Sequence, residues 1–237
     1  MDFRAALGLN VASDATPDNI RGALALSKTI VVRTITSIPD PSVICGKFLR
    51  LQRYCAITTR MHLEGLDENK LHLRAEPPAN RQDVEAQLIF LHALMERAGL
   101  EVRTSREGEI RWQGVPAIPA IDTGESERLS DHLHRLIASD PARAWRLEDT
   151  AAALGLSTRS LQRYLLAEGG SFSATLRHMR TDLASQMLRR STTSLAEIGF
   201  CCGYADQAHF QREFRKVTGQ TPRHYRTQPK AKIKTAP

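Results

Sequence analysis

An internal repeat in the C-terminal half is the feature that most constrains the fold of this chain. One copy, LEDTAAALGLSTRSLQRYLLAEGGS, begins at Leu147, and the other, LAEIGFCCGYADQAHFQREFRKVTGQ, begins at Leu195. The spacing is 48 residues up to the turn and 49 beyond it. The matched pairs are Leu147 and Leu195, Ala151 and Gly199, Gly155 and Gly203, Leu161 and Phe210, Gln162 and Gln211, Arg163 and Arg212, and Gly170 and Gly219. The sequence therefore predicts two copies of one small helical unit.

Each copy has the residues that a helix-turn-helix unit needs. Such a unit packs two helices at a steep angle across a short turn, so a small residue is required where they touch, at Ala151 and Gly199. The turn needs glycine, because a left-handed backbone costs other residues roughly 1 kcal/mol. An apolar residue, Leu161 or Phe210, then anchors the second helix and leaves its opposite face free. We predict a helix-turn-helix unit in each copy.

The free faces of the two second helices carry candidate DNA contacts. Arginine and glutamine have forked donors that match guanine and adenine edges in the major groove. The alternative is a plain helical bundle whose exposed faces happen to be polar, and the duplication argues against it. The candidates are Thr158, Arg159, Gln162 and Arg163 in the first unit and Ala208, His209, Gln211 and Arg212 in the second.

The basic charge is confined to the half of the chain that holds the repeat. The net charge is +7 and the pI about 9.5. Residues 1–127 carry 15 Lys and Arg against 17 Asp and Glu, whereas residues 128–237 carry 18 against 9, and 14 of those 18 are arginine. This imbalance favours nucleic acid or an anionic membrane as partner, with a solubilising basic face as the alternative. No amphipathic basic helix with aromatic anchors supports a membrane.

The chain divides into four predicted segments. Residues 1–120 form a predicted α+β sensing or dimerisation domain, residues 121–127 a linker, residues 128–228 an all-α domain with a double helix-turn-helix, and residues 229–237 a basic disordered tail. Within the first segment we predict strands at 30–35, 48–59 and 71–74, a helix at 83–98, and a hairpin from 101–104 and 110–112.

A predicted helix connects the two units, over residues 171–190. About 20 residues at 1.5 Å each give roughly 30 Å, close to the ~34 Å between successive major grooves on one face of B-DNA. We therefore expect one chain to read two half-sites, with a modest DNA bend costing on the order of 1–6 kcal/mol.

Residues 129–226 resemble the DNA-binding domain of the AraC/XylS family of transcription regulators, and the second unit matches that family's signature over its whole length. The resemblance implies seven helices, binding to asymmetric promoter sites, and activation by recruiting RNA polymerase. It also implies base contacts by Arg159, Gln162 and Arg163 in the first unit and by Ala208, His209 and Arg212 in the second. In this family the N-terminal half usually senses an effector, dimerises, or both.

Two positions depart from the family pattern. Ala208 offers only apolar contact, for example with a thymine methyl group. Arg146 stands where a serine or threonine helix cap is expected, although Asp149 keeps an acid near the helix start. We therefore expect the first unit to dominate sequence reading.

Two hypotheses concern the N-terminal half. Five arginines lie on or beside the predicted strands: Arg33, Arg50, Arg53, Arg60 and Arg74. One hypothesis is that they line a pocket for an anionic effector, such as a nucleotide second messenger. The alternative is that they are solvated surface residues. The apolar stripe of helix 83–98 either pairs two subunits as a homodimer or belongs to the domain core.

The sequence does not point to an enzyme. It has no phosphate-binding glycine loop, no nucleophile with a partnered base, and no cysteine spacing for a metal, so we predict no catalytic residue, metal or cofactor. Cys201 and Cys202 are expected in the core. With no signal peptide or membrane span, a cytoplasmic location is predicted.

The alternative function is a non-specific or antagonist DNA-associated protein whose N-terminal half contacts protein partners.

Overall fold

The computed structural model describes residues 6–7, 17–76, 79–105, 108–113 and 129–228 of the 237-residue chain. The predicted linker at 121–127 and tail at 229–237 lie outside these residues. The N-terminal part begins with helices α1 (Pro17–Leu26), α2 (Ile30–Ile35) and α3 (Pro41–Leu51), and a 3₁₀ turn (Gln52–Tyr54) follows. It continues with strands β1 (Met61–Leu66) and β2 (Lys70–Ala75), helix α4 (Arg81–Arg97), and strands β3 (Val102–Thr104) and β4 (Glu109–Trp112).

The strands predicted at 30–35 and 48–59 are wrong, because these stretches lie in α2, in α3 and in the turns that follow it. The Thr29 side chain accepts a hydrogen bond from the backbone N–H of Val32 and so begins α2. Asp40 does the same for the first turn of α3, where Pro41 occupies a position that needs no N–H. Burial of one face of each helix outweighs the β preference of valine and isoleucine.

The remaining secondary-structure predictions for the N-terminal part agree with the structure. The four strands form an antiparallel sheet in the order β1-β2-β4-β3, with a register irregularity between Leu63 and Gly65. Helix α4 packs against α1, α3 and β3. The predicted strand at 71–74, helix at 83–98 and hairpin at 101–112 are therefore confirmed, as is an α+β N-terminal part followed by a helical C-terminal part.

The C-terminal part is helical from residue 129 to residue 228, all of which are described. Its helices are α5 (Leu129–Ser139), α6 (Leu147–Ala153), α7 (Thr158–Ala167), α8 (Phe172–Arg190), α9 (Leu195–Cys201), α10 (Gln207–Thr218) and α11 (Pro222–Thr227). Ser194 and Glu197 form a capping box at the start of α9. Gly155 and Gly203 follow α6 and α9 with φ of 67° and 81°, the left-handed backbone expected at each turn.

The two parts share a hydrophobic core that the sequence did not predict. Phe200 and Cys201 of α9 belong to the same buried cluster as Val32 and Phe48 of the N-terminal helices. The hydroxyl of Tyr54 donates a 3.0 Å hydrogen bond to the carbonyl oxygen of Tyr204, and its ring meets that of Phe200 edge-on. The N-terminal part is thereby docked on the first helix of the second repeat.

Among the helices of the described ranges, none combines the length and the apolar character that a bilayer-spanning helix requires.

Candidate nucleic-acid interface

The first repeat forms a helix pair, α6 and α7, with one polar face free. Leu161 of α7 is fully buried and Ala151 of α6 nearly so, as expected for the anchor and the contact point. The Ser157 hydroxyl accepts a 3.1 Å hydrogen bond from the backbone N–H of Ser160 and begins α7. The candidate contacts Arg159, Gln162 and Arg163 are exposed, and Thr158 is half-buried at the first helical position.

The second repeat forms the equivalent pair, α9 and α10. Phe210 is fully buried, and a Cβ atom built on Gly199 would lie 3.1 Å from Cδ1 of its ring. This distance is tighter than ordinary packing, so the second copy favours glycine where the first copy has alanine. Ala208, Gln211 and Arg212 are exposed on the free face of α10.

His209 differs from the other candidates because part of its side chain is used inside the protein. The backbone N–H of Ala205 donates a 3.2 Å hydrogen bond to Nδ1, and the ring packs edge-on against Tyr204. A neutral ring with Nδ1 as acceptor carries its proton on Nε2. Nε2 is then the ring nitrogen that is left to donate to a base.

The connecting helix α8 holds α10 in place. Its 19 residues span roughly 28 Å. Nε of Arg177 on α8 lies 2.7 Å from Oε2 of Glu213 on α10, and both side chains are half-buried. Near the end of α8, the Arg189 guanidinium lies over the ring of Tyr225 on α11. These contacts tie the second helix pair to the connecting helix.

An open cleft of about 1400 Å³ separates the N-terminal part from the C-terminal part next to the start of α10, and we name it the interdomain cleft. Its walls come from α3, the 3₁₀ turn, β1, the α5–α6 loop and the segment around Gly203–His209. Six arginines line it: Arg50, Arg53, Arg60, Arg143, Arg146 and Arg180.

The structure brings together three of the five arginines that the sequence suggested for an anionic effector. Arg50, Arg53 and Arg60 line the interdomain cleft, on helical or loop segments rather than on strands. Arg33 is exposed on α2 away from the cleft, and Arg74 on β2 is held 3.0 Å from Glu64. Sequence reasoning missed the other three cleft arginines, because only the fold brings them opposite the N-terminal ones.

The four cysteines are buried, free thiols, which agrees with the core position expected for Cys201 and Cys202. Burial raises the pKa of Cys45 to about 12 and that of Cys201 to about 11, so both thiols are protonated at neutral pH. Across the ranges that the structure describes, no group of three or more His, Cys, Asp or Glu side chains is arranged to hold a metal ion.

Comparison with known proteins gives matches concentrated on the C-terminal part. Residues 150–228 match the family model described as "Helix-turn-helix domain". The chain is 37% identical over 103 residues to the Ornithine utilization regulator of Pseudomonas aeruginosa, covering 44% of this chain and 30% of that protein. It is 29% identical over 119 residues to the Urease operon transcriptional activator of Escherichia coli, covering 50% and 40% respectively. The matched residues thus span less than half of either relative.

Among solved structures, the crystal structure of a DNA-binding transcriptional dual regulator from Escherichia coli K-12 is similar at 26% identity. The match covers 44% of this chain and 95% of that one, with a TM-score of 0.42.

Proposed function

The chain carries an AraC-type helix-turn-helix domain at its C-terminal end, and we propose that it is a sequence-specific transcription regulator, most simply an activator. Two helix-turn-helix units within a seven-helix domain would read two neighbouring half-sites in the major groove of promoter DNA. The N-terminal part would control this binding as a sensor or dimerisation domain. The names of the proteins that resemble this chain describe regulators, and none of these names describes an enzyme.

The observation that carries the proposal is the duplicated, solvent-facing surface of α7 and α10. Each helix buries one apolar anchor and presents arginine and glutamine side chains on the opposite side: Arg159, Gln162 and Arg163 on α7, and Gln211 and Arg212 on α10. These side chains can form paired hydrogen bonds to guanine or adenine edges. A helical bundle without a ligand has no need to repeat this arrangement.

The connecting helix supports the proposed spacing of the half-sites. Its length of roughly 28 Å is somewhat below the ~34 Å repeat of the major groove, and the Arg177–Glu213 ion pair resists rotation of α10 against it. We infer that the DNA bends modestly towards the protein. A circular-permutation gel-shift assay tests this step, and mobility that does not depend on the position of the site would contradict it.

The decisive experiment is selection of bound fragments from random-sequence DNA with the full chain, followed by footprinting of the recovered site. We expect a motif with two half-sites about one helical turn apart and a preference over random duplex of roughly 10³-fold or more. A charge-driven DNA-binding protein, the alternative function, would enrich no motif. Footprints confined to a single groove would contradict the use of both units.

Regulation of transcription requires a second measurement, because binding alone does not distinguish activation from repression. Transcription from a template that carries the selected site, with bacterial RNA polymerase, is expected to increase when the protein is added. A decrease would assign the protein as a repressor at that site.

A further inference from the structure

Two arginines that line the interdomain cleft are held by backbone carbonyl groups. The Arg50 guanidinium donates to the carbonyl oxygens of Ala142 and Phe200, the latter at 3.1 Å. Arg180 donates to the carbonyl oxygen of Arg143 at 3.0 Å. The Nε–H groups of Arg50 and Arg180 are buried and, among the described residues, have no acceptor to which they donate. Each side chain therefore retains a donor that the protein does not use.

Within the described ranges, the positive charges of these two arginines have no carboxylate of their own, since Asp140, which lies near Arg50, is already paired with Lys47. In the described part of the chain, neither forms an ion pair with a carboxylate. Burial, together with the nearby charge of Arg180, lowers the pKa of Arg50 to about 10. Two positive charges in a buried region of low solvation raise the free energy of the folded protein unless a negative charge lies close to them. A bound anion would supply that charge.

The rim of the cleft extends the positive surface on both sides. Arg53 and Arg60 approach from the N-terminal part and Arg146 from the C-terminal part, and all three are exposed. The acidic residues that line the cleft are fewer: Glu76, Asp149 and Asp206. An anion in the cleft would thus be met by guanidinium groups from both parts of the chain, whose forked donors suit phosphate oxygens.

One wall of the cleft is apolar and open to solvent. Leu63 and Leu66 of β1 are 40% and 49% exposed, unusual for large apolar side chains in this protein, and both line the cleft. Met61 and Trp145 continue the apolar lining. The volume of about 1400 Å³ exceeds the ~300–1,000 Å³ typical of small-molecule sites, so a nucleotide-sized body fits beside these leucines.

We propose that the interdomain cleft binds an organic phosphate of nucleotide size. Its phosphate groups would pair with Arg50 and Arg180 and with the rim arginines, and its planar or apolar body would cover Leu63 and Leu66. The site is formed jointly by the N-terminal part and the DNA-binding part, so the ligand would bridge them. The proposal goes beyond DNA reading and does not rest on it.

Isothermal titration of the full chain with ADP and with pyrophosphate, without DNA and at constant ionic strength, tests the proposal. We expect saturable binding of both probes at one site per chain. Arg50 also joins the two parts of the fold, and Arg180 is hydrogen-bonded within the C-terminal part, so changing either one could disturb the structure. The main variant therefore changes the exposed rim: the double substitution Arg53→Gln and Arg60→Gln should weaken ADP binding at least tenfold. Leu66→Ser should weaken ADP binding more than pyrophosphate binding.

Arg33→Gln is the matched control, since Arg33 is an exposed arginine of the same part of the chain but lies outside the cleft. It should bind both probes as the unaltered chain does. No saturable binding at millimolar probe, or equal binding by the rim variant and the unaltered chain, would overturn the proposal. Binding of citrate but of neither phosphate probe would overturn the ligand class.

A final titration distinguishes binding of a free organic phosphate from binding of the phosphate backbone of DNA. Random-sequence duplex is titrated against the rim variant and the unaltered chain. If the rim variant loses DNA affinity while neither small probe binds, the cleft arginines serve the DNA backbone and the small-ligand proposal fails. Saturable ADP binding supports the proposal even if the DNA-reading faces are assigned wrongly, because that titration contains no DNA.

Discussion

Nζ of Lys47 lies 2.7 Å from Oδ2 of Asp140, and the two side chains are only 2% and 1% exposed. Lys47 also donates 2.8 Å hydrogen bonds to the carbonyl oxygen of Thr34 and to the hydroxyl of Ser37. The pair joins α3 to the segment that follows α5. Lys47→Met would leave the Asp140 carboxylate buried without its cation, and we expect unfolding free energy to fall by about 3–5 kcal/mol in urea titrations.

Lys70→Met is the control for this prediction, because Lys70 pairs with Asp67 at 3.2 Å on the surface. Removing an exposed pair should cost less than about 1 kcal/mol. Replacing both buried partners, as Lys47→Met with Asp140→Leu, should recover most of the loss, since no charge is then left buried. A cost for Lys47→Met no larger than for Lys70→Met would contradict the prediction.

Direct base reading by α7 is tested with Arg163→Ala. Arg163 is exposed on the free face of that helix. Removing it should weaken binding to the selected site by about 1–3 kcal/mol and relax one base preference, measured by gel shift against single-base variants of the site. Binding to random duplex should change little.

A charge-removal variant outside the recognition helices gives the contrasting behaviour. Replacing Lys230, Lys232 and Lys234 of the C-terminal segment with glutamine should weaken binding to all sequences alike and lower the dependence of affinity on salt. If this variant and Arg163→Ala affect specific and random DNA in the same way, then Arg163 contacts phosphates rather than bases.

Gly199→Ala tests the contact between α9, α10 and the N-terminal part. The added Cβ would lie 3.1 Å from both Cδ1 of Phe210 and the hydroxyl oxygen of Tyr54. We expect a loss of about 1–3 kcal/mol in stability from overpacking, measured by thermal or urea unfolding. Ala151→Gly, at the matching position of the first repeat, should cost only about 1 kcal/mol through helix propensity.

Tyr54→Phe shows whether the N-terminal part contributes to that strain. This substitution removes the hydroxyl that the new Cβ would meet, so Gly199→Ala should be less costly in the Tyr54→Phe background than in the unaltered chain. A double-mutant cycle measures the difference. Additive effects would show that Phe210 alone creates the strain.

The sequence predicted the C-terminal part well because its signals are local. The side chains of Ser157, Ser194 and Asp206 each cap the first turn of the helix that follows them. Gly155 and Gly203 have the left-handed backbone that the repeat required. Exposure of Arg163 and Gln211 also followed from helical spacing, whereas their contacts with DNA stay a prediction.

The N-terminal part was predicted less well because its determinants are long-range. The run at 30–35 has β-branched residues that favour strands in isolation, but Thr29 caps it as a helix and the core buries one side. The interdomain cleft depends on Arg53 and Arg146, which lie far apart in sequence and belong to different parts of the chain. Spacing along the chain cannot reveal such a site.

Alkaline pH should destabilise the protein through its buried acids. Burial raises the pKa of Cys45 to about 12 and of Cys201 to about 11, from an ordinary value of 9.0, and it also raises the pKa of Cys202 well above that value. The stability that these thiols contribute is complete below pH 9 and is lost as pH rises, because only the unfolded chain then releases protons. By pH 10 each thiol should lower the unfolding free energy by roughly 1.4 kcal/mol, and Tyr204, with its pKa raised to about 12, acts in the same direction.

Lys47 opposes this trend, since burial lowers its pKa and makes the folded state bind its proton less tightly than the unfolded chain. Arg50, with its pKa lowered to about 10, acts in the same direction as Lys47. The three thiols and Tyr204 outweigh these cations, so we expect a net loss of unfolding free energy on the order of 1–3 kcal/mol between pH 8 and pH 10 in urea titrations under reducing conditions. Cys45→Ala should reduce that loss by roughly 1.4 kcal/mol, whatever its effect on stability at pH 8. An unchanged pH dependence in this variant would show that the folded protein ionises Cys45 as readily as the unfolded chain does, and hence that this thiol is not shielded from water.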